Sequence, residues 1–98
     1  MVKIKVNKND DFIKSVNITG HTMFDDYGKD IVCASVSSIV ITTVNAILRI
    51  DSNSITYNED PFCIEVVSFN EVVNELLENM VSLLKELEQD YPKNIRFL

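Results

Sequence analysis

Residues 31–48, IVCASVSSIVITTVNAIL, contain no charged side chain. A run this long and this neutral has to be covered, either by lipid or by the rest of the fold. Its polar residues discriminate between the two. Ser35, Ser38, Thr42 and Asn45 are spaced three, four and three apart, and Arg49 follows four later. On a helix these positions form one stripe. A helix that is polar on one side only belongs against a soluble core, so no membrane span is expected. Asp30 is a suitable N-cap for it.

The flanking segments supply the surface that such a helix needs. Val2, Ile4 and Val6 alternate with Lys3 and Lys5, the pattern of a half-buried strand. Asn7 to Asp11 is a polar turn cluster, and Phe12 to Thr19 returns with Val16 and Ile18 on one side, so the two strands make a hairpin. Gly20 to Lys29 has no clean period and holds both glycines of the chain, Gly20 and Gly28. This marks it as a mobile loop.

Beyond Arg49, the sequence Asp51-Ser52-Asn53-Ser54 is a break. Ser54 to Tyr57 and Pro61 to Val67 read as short strands. Ser68-Phe69-Asn70-Glu71 fits a capping box, and the helix after it carries a strong apolar repeat in Val72, Val73, Leu76, Leu77, Met80, Leu83, Leu84 and Leu87. Tyr91-Pro92 ends that helix, and Ile95 to Leu98 forms a last edge strand. The expected order is β-β-α-β-β-α-β. This is a single α+β domain over residues 1–98, a mostly antiparallel sheet covered by two helices. A core this small is marginal alone, which makes a homodimer a reasonable expectation.

Composition narrows the function classes. Nine Lys and Arg against fifteen Asp and Glu give a net charge of −6. That opposes the phosphate-driven affinity of nucleic-acid binders and suits a basic partner. Two cysteines and one histidine fall one short of a four-ligand zinc site, and no disulfide scaffold or cofactor motif is present. The N-terminus, MVKIKVNKNDD, has no apolar signal region. A cytoplasmic protein is expected.

One constellation has chemical potential. Cysteine catalysis needs a thiolate, a base or acid within reach, and donors for the oxyanion on the attacked carbonyl. With Asp30 as N-cap, Cys33 falls in the first helical turn, where unpaired N–H groups and the positive end of the dipole favour a thiolate. The same N–H groups can serve as the oxyanion hole. The only imidazole, His21, lies at the far end of the intervening loop. Ser37 follows Cys33 by one turn on the face that holds Val36, Val40 and Val44. It can donate to the sulfur, hold a substrate carbonyl, or bond to its own helix backbone.

A second reading treats Cys33 as a small buried hydrophobe in a non-catalytic module. A third treats it as a redox-sensing thiol, which the lack of a nearby resolving cysteine disfavours. An Asp30 carboxylate beside Cys33 raises the thiol pKa unless its charge is turned toward backbone N–H groups or His21. Cys63, in mid-strand, reads as structural. Glu71, Glu75, Glu78, Glu86 and Glu88 read as a solvated helix face. Asp25 and Asp26 read as loop charges, either of which can orient the imidazole.

Gly20-His21, followed by Tyr27-Gly28-Lys29-Asp30-Ile31-Val32-Cys33-Ala34-Ser35-Val36-Ser37, resembles the ribosomal-processing cysteine protease family, Prp. That family carries a Gly-His, a short flexible loop and an Asp-Ile-Val-Cys-Ala-Ala-Val-Ser type run. Tyr91-Pro92-Lys93 after a leucine-rich helix also matches its C-terminal end. The likeness extends over nearly the whole chain. Thr22 and Ser35 depart from the family pattern, where alanines are common. These departures bear on substrate preference more than on reaction type.

The resemblance implies His21 as catalytic histidine, Cys33 as nucleophile, and Asp30 and Ser37 as supporting residues. It implies a gating loop, in which Gly20 and Gly28 permit motion while Met23, Phe24 and Tyr27 meet the apolar side chains of a peptide. It further implies a homodimer, and a substrate that is the precursor of a basic large-subunit ribosomal protein, cut after an aromatic-containing apolar segment to remove an N-terminal extension. Neither a metal, a nucleic acid nor a membrane enters this reading.

Overall fold

A computed structural model describes residues 1–20, 31–59 and 61–98. The element order is β1 (Val2–Asn9), β2 (Phe12–Thr19), α1 (Ile31–Ile50), β3 (Ile55–Glu59), β4 (Phe62–Val66), α2 (Glu71–Asp90) and β5 (Ile95–Phe97). This is the α+β arrangement that the periodicities predict. The strands form one sheet in the order β3-β4-β2-β1-β5, with β1 and β5 parallel and all other neighbours antiparallel.

The first hairpin is tighter than the polar cluster suggests. Asn9 pairs with Phe12, which leaves a two-residue turn, and Asp10 occupies the left-handed region (φ 57°) that such turns demand. The register slips between Asn7 and Lys8 because Lys14 is an extra residue on β2. This bulge puts Ile13 on the same side as Val16 and Ile18, and all three are buried. The displaced Lys14 donates from Nζ to the Val66 carbonyl at 2.8 Å.

Val2 and Ile4, Val16 and Ile18, Phe62 and Ile64, and Ile95 point to one face of the sheet and are buried there. Lys3, Lys5 and Arg96 alternate with them and are exposed on the other. Both helices therefore lie on the apolar face. α1 contributes Val32, Val36, Val40, Val44 and Ile47 to the core, while Ser38, Thr42, Asn45 and Arg49 of the polar stripe face solvent and Ser35 is half-buried. α1 has the length and apolarity of a membrane-crossing helix, and here its apolar stripe is packed into the core.

α2 contributes Val73, Leu77, Met80, Val81 and Leu84. Two members of its predicted apolar repeat, Val72 and Leu83, are instead 52% and 39% exposed, because the buried stripe is centred on Leu77 and Leu84 and leaves them on its margin. The predicted capping box is also corrected. Asn70, not Ser68, is the N-cap, its side chain accepting from the N–H groups of Val72 and Val73 at 2.9 and 3.2 Å. The Asn70 amide donates in turn to Asp51 Oδ2 at 3.1 Å, tying the end of α1 to the start of α2. The helices thus run antiparallel, with Leu87 of α2 opposite Ser35 and Ile39 near the start of α1.

β5 returns parallel to β1 on the far edge, and Val2 N–H donates to Asn94 O at 2.9 Å. It holds its place partly through Glu88, whose Oε2 accepts from Phe97 N–H at 2.7 Å.

Candidate active site

Cys33 is the third residue of α1 and is half-buried. The helix start is pinned on both sides of it, since Val32 and Val36 are 2% and 0% exposed. No acidic side chain stands in the first turn of α1. The sulfur therefore sits in the first turn, at the positive end of the helix, and it retains an opening to solvent. Ser37 is half-buried one turn later on the same flank.

That flank can be placed in the fold. Residues advance by about 100° each around a helix, so Ile39 and Ser37 flank the buried stripe on opposite sides, and Cys33 lies between Val40 and Val44 in the half nearer Ser37. Ile39 and Ser35 border a groove of about 470 Å³ with Leu87 of α2. α2 packs against β2 and β5, and α1 runs through the short connection 51–54 into β3, which puts α1 on the β3 side of α2. Cys33 and Ser37 accordingly face away from α2, toward the β3 side of the molecule.

Gly20 ends the described part of the first hairpin with φ +69°, a left-handed conformation. A Cβ there would fall on the carbonyl oxygen of Met1. Close backbone approach thus gives this glycine a local reason beside the mobility suggested by its sequence setting. His21, Met23, Phe24, Tyr27, Gly28 and Asp30, with Asp25 and Asp26, lie outside the described residues.

Cys63 is set apart from this centre. It pairs with Asn17 and Asn58 across the sheet, so its side chain is on the face opposite the helices. Burial pushes its thiol pKa up, and Glu65, two residues on along the same face, adds to the rise. Both cysteines are thiols, and the sheet separates them. This geometry gives Cys33 no resolving partner in Cys63. Among the described residues no group of three His, Cys, Asp or Glu side chains converges on a metal-sized site.

β3 carries no residue that the sequence alone marks as part of a site. Of its residues only Ile55 is buried, while Thr56, Tyr57, Asn58 and Glu59 are exposed. A strand so lightly covered, flanking the Cys33 side of α1, is a feature that the short run Ser54–Tyr57 carries only as a missing apolar alternation.

Comparison with known proteins bears on what this geometry serves. The family model for cysteine protease Prp matches residues 1–96. A ribosomal processing cysteine protease Prp from Staphylococcus aureus is 33% identical, covering 98% of this chain and 96% of its own length. Its counterpart from Bacillus subtilis is 28% identical over 98% of this chain and 95% of its own. Among solved structures, the S. aureus protease with a covalently linked product peptide superposes with a TM-score of 0.84 at 32% identity, over 99% of this chain and 97% of that one. The same protease with a substrate peptide gives 0.83 at 31% identity, over 100% and 98%.

Proposed function

This chain belongs to the Prp family of cysteine proteases, and from that premise we propose that it removes a short N-terminal extension from the precursor of a basic large-subunit ribosomal protein, with Cys33 as nucleophile and His21 as general acid and base. The observation that carries the assignment of the nucleophile is the half-buried Cys33 in the first turn of α1, on a flank not covered by α2. An inert core cysteine would be sealed like its neighbours Val32 and Val36.

In this reaction the Cys33 thiolate adds to the scissile carbonyl carbon, and the carbonyl π-electrons move to oxygen. N–H groups at the start of α1 stabilise that oxyanion. Collapse of the intermediate breaks the C–N bond, and the His21 imidazolium gives its proton to the leaving amine. This leaves a thioester on Cys33. The neutral imidazole then takes a proton from water, the hydroxide adds to the thioester, and collapse releases the new carboxylate and restores the thiolate with a protonated His21. Ser37 and Asp30 are supporting residues, Ser37 toward the sulfur or the substrate carbonyl and Asp30 toward backbone N–H groups or the imidazole. Gly20 and Gly28 bracket the segment that contributes Met23, Phe24 and Tyr27 to the peptide's apolar side chains.

The substrate class agrees with the net charge of −6, since ribosomal proteins are strongly basic. The working form is a cytoplasmic homodimer that needs no cofactor, nucleic acid or membrane. Mass spectrometry of the precursor incubated with this protein tests the proposal directly. Wild type shortens the precursor at one bond, and Cys33→Ala binds it without cutting. Turnover by Cys33→Ala rules out the nucleophile, and an unchanged pH–rate profile in His21→Ala removes the histidine from its role.

A further inference from the structure

We infer that the open edge of β3 is the docking strand for the substrate, which pairs with it in extended form as a sixth strand and runs on to Cys33. The inference rests on the protease reading above and adds to it the backbone that holds the peptide.

Among the described residues β3 pairs only with β4. The register shows which of its groups are left over. Val67 N–H donates to Ser54 O at 2.9 Å, and Ile55 stands opposite Val66. Hydrogen-bonded and non-hydrogen-bonded pairs alternate in an antiparallel ladder. Thr56/Glu65 and Asn58/Cys63 are thus the bonded pairs, and the N–H and C=O groups of Ile55, Tyr57 and Glu59 point away from β4.

Sheet edges are commonly blunted by lysines, prolines, bulges or extreme shortness. β3 has no lysine or proline, and its pairing with β4 runs without a register shift. The other edge, β5, is only three residues long. β3 is the edge built to accept a partner strand.

The edge also has the right neighbours. Tyr57 and Glu59 pair with Ile64 and Phe62, so their side chains lie on the helix-bearing side of the sheet, the side of Cys33 and Ser37. Tyr57 is 42% exposed and offers a ring to the apolar, aromatic-containing segment of the substrate. Glu59 offers a carboxylate to its basic residues.

Register follows from chain geometry. α1 turns into β3 through the short connection Asp51–Ser54, so helix and strand run in opposite directions. From Arg49 back to Cys33 the helix rises about 24 Å, whereas β3 spans about 13–17 Å. Cys33 therefore stands beyond the Glu59 end by the length of about two or three extended residues. The paired part of the peptide lies on one side of the scissile bond, starting about that far from it.

Proline substitution, read against Tyr57→Ala, which removes the same ring but keeps the N–H, tests the outward donor without touching the ladder. Tyr57→Pro removes a donor that β4 does not use, at an edge position where proline is tolerated. The expected result is a KM raised about three- to tenfold above that of Tyr57→Ala for a synthetic peptide spanning the extension, with kcat nearly unchanged and the melting temperature preserved. Thr56→Pro, which removes a ladder bond, lowers the melting temperature and marks what a folding defect looks like.

A scan of N-methylated peptides leaves the protein intact. It should weaken binding at alternate residues on one side of the scissile bond. A folded Tyr57→Pro with the KM of Tyr57→Ala, together with a scan lacking the two-residue period, overturns the inference.

The same pair of readouts, taken as fluorescence anisotropy of labelled peptide on Cys33→Ala carrying either Tyr57→Ala or Tyr57→Pro, separates the two levels of argument. Peptide held through the edge but left uncut by wild type overturns the catalytic reading alone. Peptide cut by wild type and bound equally by both variants overturns the edge alone.

Discussion

Gly20→Ala is the sharpest test of how the approach to the candidate site is built. Gly20 has φ +69°, and placing a residue with a Cβ in that region costs about 1–2 kcal/mol. The new methyl also falls on the Met1 carbonyl oxygen. Met1 cannot simply swing away, because the next residue, Val2, is 1% exposed and its N–H donates to Asn94 O at 2.9 Å. Weakening that bond costs about 1 kcal/mol more. The sum is about 2–3 kcal/mol, a large share of the stability of a small domain.

With an m-value of about 1–1.5 kcal/mol/M, the urea midpoint should drop by about 2 M. Circular dichroism against urea reads this directly. Asp10→Gly is the control, since Asp10 has φ 57° in a two-residue turn. There, relief of backbone strain and the added freedom of the unfolded chain nearly cancel, and the change should stay within about 0.5 kcal/mol. If Gly20→Ala were as stable as wild type to within the same margin, the close approach of Met1 would not be what requires glycine, and loop mobility would be left as its reason.

Two further outcomes follow from the hydrogen-bond and charge geometry. Asn70→Ala strips the acceptor from Val72 and Val73 and the tie to Asp51, and should lower stability by about 1–2 kcal/mol in thermal or urea unfolding, whereas Ser68→Ala should change it by less than about 0.5 kcal/mol; the reverse order would restore the capping box. Burial and Glu65 raise the Cys63 pKa, so its neutral thiol persists to higher pH than an ordinary cysteine's. Iodoacetamide mapping by mass spectrometry should label Cys33 ahead of Cys63 at neutral pH, with Cys63 gaining as pH rises and gaining earlier in Glu65→Gln. Faster labelling of Cys63 at neutral pH would contradict the contrast between the two sulfurs.

The elements were legible wherever side-chain period and burial agree. The strands Val2–Asn9 and Phe12–Thr19 and the two long helices follow from alternation and from three-four spacing, and proline at position 92 stops α2 as its chemistry requires. What was not legible depends on tertiary partners. Ser68 and Asn70 are both good caps in isolation. The choice of Asn70 is made by Asp51, nineteen residues away, which accepts from its amide. Likewise Val72 continues the apolar repeat of α2 but lies on the margin of the stripe that meets the sheet. The bulge at Lys14 leaves no local signature, because its effect is to bring Ile13 into a face that strict alternation from Val16 would deny it. For the candidate site, the position of Cys33 at a helix start could be read from Asp30 and the neutral run after it. The orientation of its flank toward β3 could not, since that depends on which half of the sheet each helix covers.

The two cysteines show why this orientation matters. Cys63 lies in a bonded pair with Asn58, on the helix-free face of the sheet beside a carboxylate. Strand geometry leaves it no backbone donors to stabilise a charge. Cys33 is in the opposite setting, in the first turn of a helix and at the positive end of its dipole. The chain order then places an extended-peptide edge beside it. α1 ends at the start of β3, so its beginning lies toward the other end of that strand, and α2 occupies the opposite side of α1. A peptide paired with the outward groups of Tyr57 and Glu59 can leave that edge in only two directions. One leads back toward the Asp51–Ser54 connection. The other leads past the flank that carries Cys33 and Ser37, so a strand-binding edge and a thiol at a helix start become parts of one cleft through topology alone.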